Sequence, residues 1–318
     1  MRLIGRRRLG AAILALGAAV AVGACGSSSS SSTTGSVKTT PVAGQPGKGK
    51  PAVTIGSKNF TEELILGQLY AQALRAKGYK VNLKENVGST ELTDKALTSG
   101  QIDMYPEYTG TILSVVAHQT KPPSSPQDAY TKAQAFESSR GFTLLGKTPF
   151  VDSDALATLP AYATAHKLKS IADLKPLGKG LTLIAAPEFA TRQEGLVGLK
   201  QAYGVNPTFK PLTIGLTYTA LDGKKADVAD VFTTDAQLVG GKYTLLADPK
   251  FVFGYQNVAP VVGKKVLTRE GPAFRQTIDA VSAKLTTPAM QSMNAAVGLS
   301  HQTAAAVAQK FLAANGLG

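Results

Sequence analysis

The chain has 318 residues, 43% hydrophobic and 17% charged, with 34 Lys plus Arg against 21 Asp plus Glu and a formal net charge of +13. That balance belongs to a globular protein able to bury cores, with length for two ordinary domains or one large one, and excludes a disordered or fibrous chain. The single cysteine, Cys25, excludes a disulfide within the chain and any zinc site built on paired cysteines.

Residues 1–24 read as an export signal. Arg6, Arg7 and Arg8 form a positive start, Leu9 to Val22 an apolar run too short for a comfortable membrane span, and Val22-Gly23-Ala24-Cys25 a small-residue cleavage site. Cleavage before a cysteine resembles the lipobox of bacterial lipoproteins and implies lipidation of Cys25. Residues 25–51, rich in Ser, Thr, Gly, Pro and Lys without an apolar period, are expected to be a flexible lipidated tether. The domain would then be anchored to the outer face of the cell membrane. Loss of Arg2, Arg6, Arg7 and Arg8 with the signal lowers the charge from +13 to +9. The remaining lysines are scattered, which argues against nucleic acid and for a basic surface beside anionic lipid headgroups.

In the body, Val53 to Gly56 is expected as a strand, followed by a helix with a capping box at Asn59-Phe60-Thr61-Glu62 that runs to Lys77 and closes at Gly78. Val81 to Leu83 predicts a second strand, Glu91 to Ser99 a helix, and Ile102 to Met104 a strand leading into YPEYTGT. A loop at 121–126 precedes a helix from Gln127 to about Ser139. The pattern then restarts, with strands at Leu181 to Ala186, Phe209 to Thr213 and Asp227 to Phe232. A second capping box, Thr191-Arg192-Gln193-Glu194, opens a helix ending at Gly204, and Thr217 to Leu221 is a helical turn. The tail from Glu270 to Leu312 is helical by period, broken at Pro288 and near Gly298. Alternating strands and helices in two runs predict an α/β protein with two lobes, and ligands of such sheets sit beyond the carboxyl ends of strands. Tyr105, Tyr108 and Phe232 lie at such ends, although Tyr105 and Phe232 are equally natural packing residues.

No catalytic constellation emerges. His118, His166 and His301 have no acid or nucleophile motif nearby, and the chain has no Gly-x-Ser-x-Gly elbow, no HExxH and no phosphate-cradling loop. Asp103 and Glu107 are close in sequence, which alone is weak support for acid–base work. We therefore expect no enzyme, no cofactor and no metal.

Four blocks carry a family resemblance: IGSKNFTEELILGQLYAQAL (55–74), IDMYPEYTGT (102–111), EFATRQEGLVGLKQAYG (188–204) and GLTYTALDGKKADVADVFTTD (215–235). Together they resemble the substrate-binding proteins of ABC transporters for glycine betaine, carnitine, choline and related osmoprotectants, from about Val53 to the C-terminus. The resemblance implies a type II periplasmic-binding-protein-like fold with a hinged cleft, lobe one comprising 52–153 and 254–318 and an inserted lobe two comprising 154–253. It implies a monomer that delivers a small solute to an ABC permease and ATPase. It also implies a box of aromatic rings around a trimethylammonium head, at positions matching Tyr108, Asp154, Phe232 and Tyr255. Groups matching Lys58, Thr111 and Arg192 would meet the ligand's carboxylate.

Physical chemistry supports these roles. A quaternary ammonium has no N–H, so ring faces must recognise it, at roughly 0.5–2 kcal/mol per ring. Three rings would contribute about 2–6 kcal/mol, short of the roughly 8 kcal/mol that micromolar affinity requires. The chain departs from the family at Asp154, where relatives carry a ring. An ionised Asp154 would attract a cation directly and repel a nearby carboxylate, which favours choline or a similar cation. The same departure fits an uncharged or polyhydroxylated guest with Asp154 accepting hydrogen bonds, and a ligand sensor without transport would share the fold.

Overall fold

A computed structural model of the chain describes residues Gly44–Gly318. The proposed signal, Cys25 and most of the tether lie outside the described residues. The last part of the expected tether is ordered. Residues 46–49 fold as turns, Gly47 N–H donates to the carbonyl of Lys77 at 2.9 Å, and Lys50 Nζ donates to the carbonyl of Arg269 at 2.7 Å. Gly47 is required by close approach, because a Cβ there would stand 2.3 Å from the backbone nitrogen of Tyr79. The folded body thus begins before Pro51.

Two five-stranded sheets organise the chain. The first uses β1 (Val53–Gly56), β2 (Val81–Lys84), β3 (Met104–Tyr108) and β4 (Phe142–Leu144), and it is completed much later in the chain by β10 (Val258–Gly263). Its order is β2-β1-β3-β10-β4, with β1 parallel to β2 and β3, and β10 antiparallel to β3 and β4. The second uses β5 (Asp154–Thr158), β6 (Thr182–Ala185), β7 (Thr208–Pro211), β8 (Val228–Phe232) and β9 (Thr244–Leu246), in the order β7-β6-β8-β5-β9. The sheet of residues 154–246 is therefore inserted between β4 and β10. The two connecting segments run side by side: Val151 and Asn257 form an antiparallel bridge, and Asp152 N–H donates to the carbonyl of Gln256 at 3.0 Å.

Both sheets are buried on two faces, so strand alternation assigns side chains to separate cores. In β10, Val258 and Val262 pack with the helix Thr61–Ala76, whereas Ala259 and Val261 pack with Ile112, Leu113 and Ala129. In β3 the same alternation sends Tyr105 into one core and Met104 and Tyr108 toward the other. The C-terminal helices Pro272–Ser282, Thr287–Gly298 and Ala304–Ala314 cover the helix Thr61–Ala76 with Phe274, Ile278, Met290, Val307 and Leu312. In the second sheet, Leu156, Leu183 and Val228 face one core and Ala157, Ile184 and Val231 the other.

Several local expectations change. The third strand begins at Met104 and contains both tyrosines, rather than ending before them. The helix after β1 begins at Thr61 with Phe60 at its cap position and no side-chain cap, so the expected box does not form. Likewise Gly195, not Thr191, precedes the short helix Leu196–Gly198, and Glu194 faces elsewhere.

Candidate functional site

The carboxyl ends of β1, β3 and β8 converge on a cleft between the two sheets, enclosing about 620 Å³ of empty space, part of it continuous with solvent. Lys58, Tyr108, Thr111, Asp154, Arg192 and Phe232 all line it. Tyr255 does not: its ring stacks on Phe251 at 5.3 Å, and its place at the cleft is taken by the neighbouring Gln256. The chain crosses between lobes here, and one residue's shift along an extended segment reverses which side chain faces inward.

Phe60 supplies a ring that the family correspondence did not include. Its backbone is extended (φ −138°, ψ 163°), which turns the ring away from the helix that follows and into the cleft. It stacks on Phe232 of the other lobe at 5.1 Å between centroids and lies 6.2 Å from Tyr108. The ammonium of Lys58 stands 4.4 Å from the centre of the Tyr108 ring, evidence that this ring face accepts a cation. A ring placed between the end of a parallel strand and a helix start was the available signal for Phe60.

Each basic group of the cleft is already matched. Lys58, 3% exposed, ion-pairs with Glu107, lies 3.9 Å from Glu63 and donates to Thr90 Oγ1 at 3.4 Å. Arg192 donates through Nε and Nη2 to both oxygens of Glu91, a two-point pair between the lobes. Burial of Glu91 works against its charge, but the bonds from Arg192 prevail and hold its carboxyl down at about 2.

Acids outnumber the bases. Asp152, Asp154, Glu188, Glu194 and Asp230 also line the cleft. Glu194 accepts from Ser114 Oγ at 2.8 Å, Gln256 Nε2 at 3.0 Å and Thr111 Oγ1 at 3.1 Å, so the inserted lobe is tied to the first through Thr111. Gly110 permits this approach, since a Cβ there would lie 2.7 Å from the amide of Gln256. On the other flank Glu62 accepts from Thr234 Oγ1 at 2.6 Å, Tyr108 Oη at 2.8 Å and Asn294 Nδ2 at 3.1 Å. Burial keeps the Glu62 carboxyl above its usual range despite those three donors. Burial likewise raises Asp152, with the nearby Glu62 and Asp235 charges adding to the effect.

This arrangement can hold a small cation against ring faces and carboxylates, and can register its presence through contacts from both lobes. A model of the family described as the substrate binding domain of ABC-type glycine betaine transport system matches residues 51–314. The chain is 34% identical over 270 residues to the glycine-betaine-binding protein of Pseudomonas aeruginosa, covering 81% of this chain and 86% of that protein. It is 30% identical over 277 residues to the glycine betaine-binding protein YehZ of Escherichia coli, covering 83% and 90% respectively. A solved structure described as a glycine betaine/carnitine/choline ABC transporter superposes with a TM-score of 0.66 at 26% identity, over 84% of this chain and 99% of that one. The chain belongs to the family of substrate-binding domains of ABC-type glycine betaine transport systems, and its two lobes have the type II periplasmic-binding-protein fold.

Proposed function

We propose that this protein is the extracytoplasmic solute-binding component of an ABC importer, that it takes a quaternary-ammonium solute into the cleft, and that it prefers cations without a carboxylate. The observation that carries the preference is the matching of both basic groups, Lys58 to Glu107 and Arg192 to Glu91, beside carboxyls that face the cavity. Phe60, Tyr108 and Phe232 would contribute about 2–6 kcal/mol through their faces. An ionised carboxylate about 4 Å from the cation adds roughly 4 kcal/mol at an effective dielectric of 20, which brings micromolar affinity within reach without a ligand carboxylate.

Mechanistically, the guest enters between open lobes and contacts both. Closure about the paired segments at 152–154 and 254–256 is favoured because only the closed form joins Phe232, Asp154 and Arg192 to Phe60, Tyr108 and Thr111. The permease would then recognise the closed shape, and the ATPase would drive release. Cys25 and the segment after it would hold the protein at the membrane. Relatives named for glycine betaine support a second reading, in which a betaine carboxylate displaces Glu91 from Arg192. Calorimetric titration with glycine betaine, choline, carnitine, proline betaine and a neutral polyol separates the two. Choline tighter than glycine betaine is expected; tighter glycine betaine would favour the second reading, and polyol binding alone would overturn both.

A further inference from the structure

The cleft contains a pair of carboxyls that none of its inter-lobe ties employs. Asp154 opens β5 and Asp230 lies within β8, and the antiparallel register sets Asp154 opposite Phe232 and Leu156 opposite Asp230. The two acids are therefore diagonal neighbours on one face of the sheet. Both side chains line the cleft. Asp230 is 8% exposed, and its Oδ1 has no hydrogen-bond partner among the described residues. Two carboxyls so placed can bond to each other only if one of them keeps a proton, since ionised carboxylates are acceptors only. Like charges on neighbouring positions of one buried sheet face resist simultaneous ionisation.

We propose that Asp154 and Asp230 share one proton before a guest binds, that a quaternary ammonium displaces this proton into solvent, and that Asp230 is in this way a determinant of preference for cations. The proposal rests on the quaternary-ammonium reading of the cleft and adds its regulation.

The groups that face the pair support it. Arg192 and Glu194 approach from the loop after β6, Lys58 from the loop after β1, Asp152 from the connecting segment, and Asp235 and Tyr218 from either side of β8. Arg192 favours ionisation of both carboxyls and Lys58 that of Asp154, but each base is also matched by another acid, Arg192 by Glu91 and Glu194 and Lys58 by Glu107, and burial outweighs them. Burial and the neighbouring acids accordingly raise both carboxyls above their usual range, Asp230 well above it. A fixed positive charge in the cavity removes the repulsion that keeps the second carboxyl neutral. A quaternary ammonium cannot take up the proton, so it leaves to bulk water. A zwitterion presents no net charge and would expel less of it.

The sign follows from linkage. Because binding releases a proton, affinity rises with pH while the pair still holds that proton, by at most about tenfold per unit, and levels once the free cleft has lost it. The Arg192–Glu91 pair adds no slope between pH 5 and 8, since Glu91 stays ionised down to about 2.

The test is calorimetry of choline binding to the purified protein at several pH values, in acetate and in piperazine near pH 5 and in phosphate and in Tris near pH 7.5, buffers whose ionisation heats differ. A release of about 0.5–1 proton per choline is expected at the acid end of that range. Asp230→Asn and Asp154→Asn should each abolish the release, flatten the pH profile and weaken choline about tenfold, with thermal unfolding used to verify folding. Choline binding without proton release in the wild type, or release that survives in both variants, would overturn the proposal. Failure to bind any quaternary ammonium would instead overturn the functional reading beneath it.

Discussion

Arg192 of the inserted lobe donates to both carboxylate oxygens of Glu91 in the first lobe, at 3.0 and 2.9 Å. This is the two-point geometry by which a guanidinium takes a ligand carboxylate. Closure through Glu91 and recognition of a betaine carboxylate therefore compete for one fork. We expect Glu91→Gln to raise the ratio of glycine betaine to choline affinity by about tenfold to a hundredfold, the scale of a charge-assisted bond worth about 1.5–3 kcal/mol. Both affinities would also fall slightly as the lobes lose a tie, which is why the ratio is the useful quantity. Parallel titrations measure it, and an unchanged ratio would remove Arg192 from contact with any ligand carboxylate.

The rings make a second prediction. Phe60 bridges Tyr108 and Phe232, so Phe60→Ala removes one ring face and the stacking support of two more. At about 0.5–2 kcal/mol for the lost face, choline affinity should fall between about twofold and thirtyfold. Tyr255→Ala should leave affinity unchanged, because its ring packs on Phe251 outside the cleft. Equal losses from the two variants would mean that the aromatic wall has been assigned to the wrong side chain.

Much of the architecture was legible because apolar period and strand–helix alternation survive locally: β1, β2, β6 and β8 begin within a residue or so of where sequence places them. The third strand runs on past Met104, where the sequence reading ended it, through Pro106 to Tyr108. Pro106 stands opposite Pro260 in the antiparallel register. Two residues without N–H groups can face each other only where no ladder bond runs between them, so the strand continues. The two expected capping boxes failed for a shared reason. A glutamate three residues after Asn or Thr has the same spelling whether it reaches back to a helix end or across a cleft. Glu62 and Glu194 do the latter, held by Thr234 and by Thr111 respectively. Partners that lie 172 and 83 residues away in sequence leave no local trace. Asp230 was hidden similarly, as one polar residue inside the apolar strand VADVF.

Asp154 offers a third prediction. The family correspondence puts a ring at this position, and here the carboxyl lies beside Asp230 and opposite Phe232. Asp154→Tyr should strengthen glycine betaine binding by supplying a further face and removing one acid from the path of the ligand carboxylate, while choline, which loses a carboxylate partner, should weaken. The comparison of both ligands on one variant controls for altered closure. No gain for glycine betaine would indicate a pocket reshaped for another class of guest.

The last prediction concerns stability. Glu63 is fully buried in the helix Thr61–Ala76; its Oε2 accepts from the backbone of Lys58 at 3.1 Å, and Oε1 has no hydrogen-bond partner among the described residues. Burial, only partly offset by the Lys58 charge, pushes its carboxyl up to about 8. In the unfolded chain the same group titrates in the ordinary carboxyl range, near 4.3. Between those values the folded state keeps a proton that the unfolded state has lost, so stability falls as pH rises through the window, by at most about 1.4 kcal/mol per unit for one proton. Glu63→Gln keeps an acceptor for the Lys58 amide and removes the titration. The variant should match the wild type near pH 4, where both folded and unfolded wild-type chains hold the proton, and exceed it increasingly up to pH 8. Urea unfolding across that range gives the difference directly. A constant offset between the two proteins would place the ionisation of Glu63 elsewhere, since only a group that titrates inside the window can change the slope.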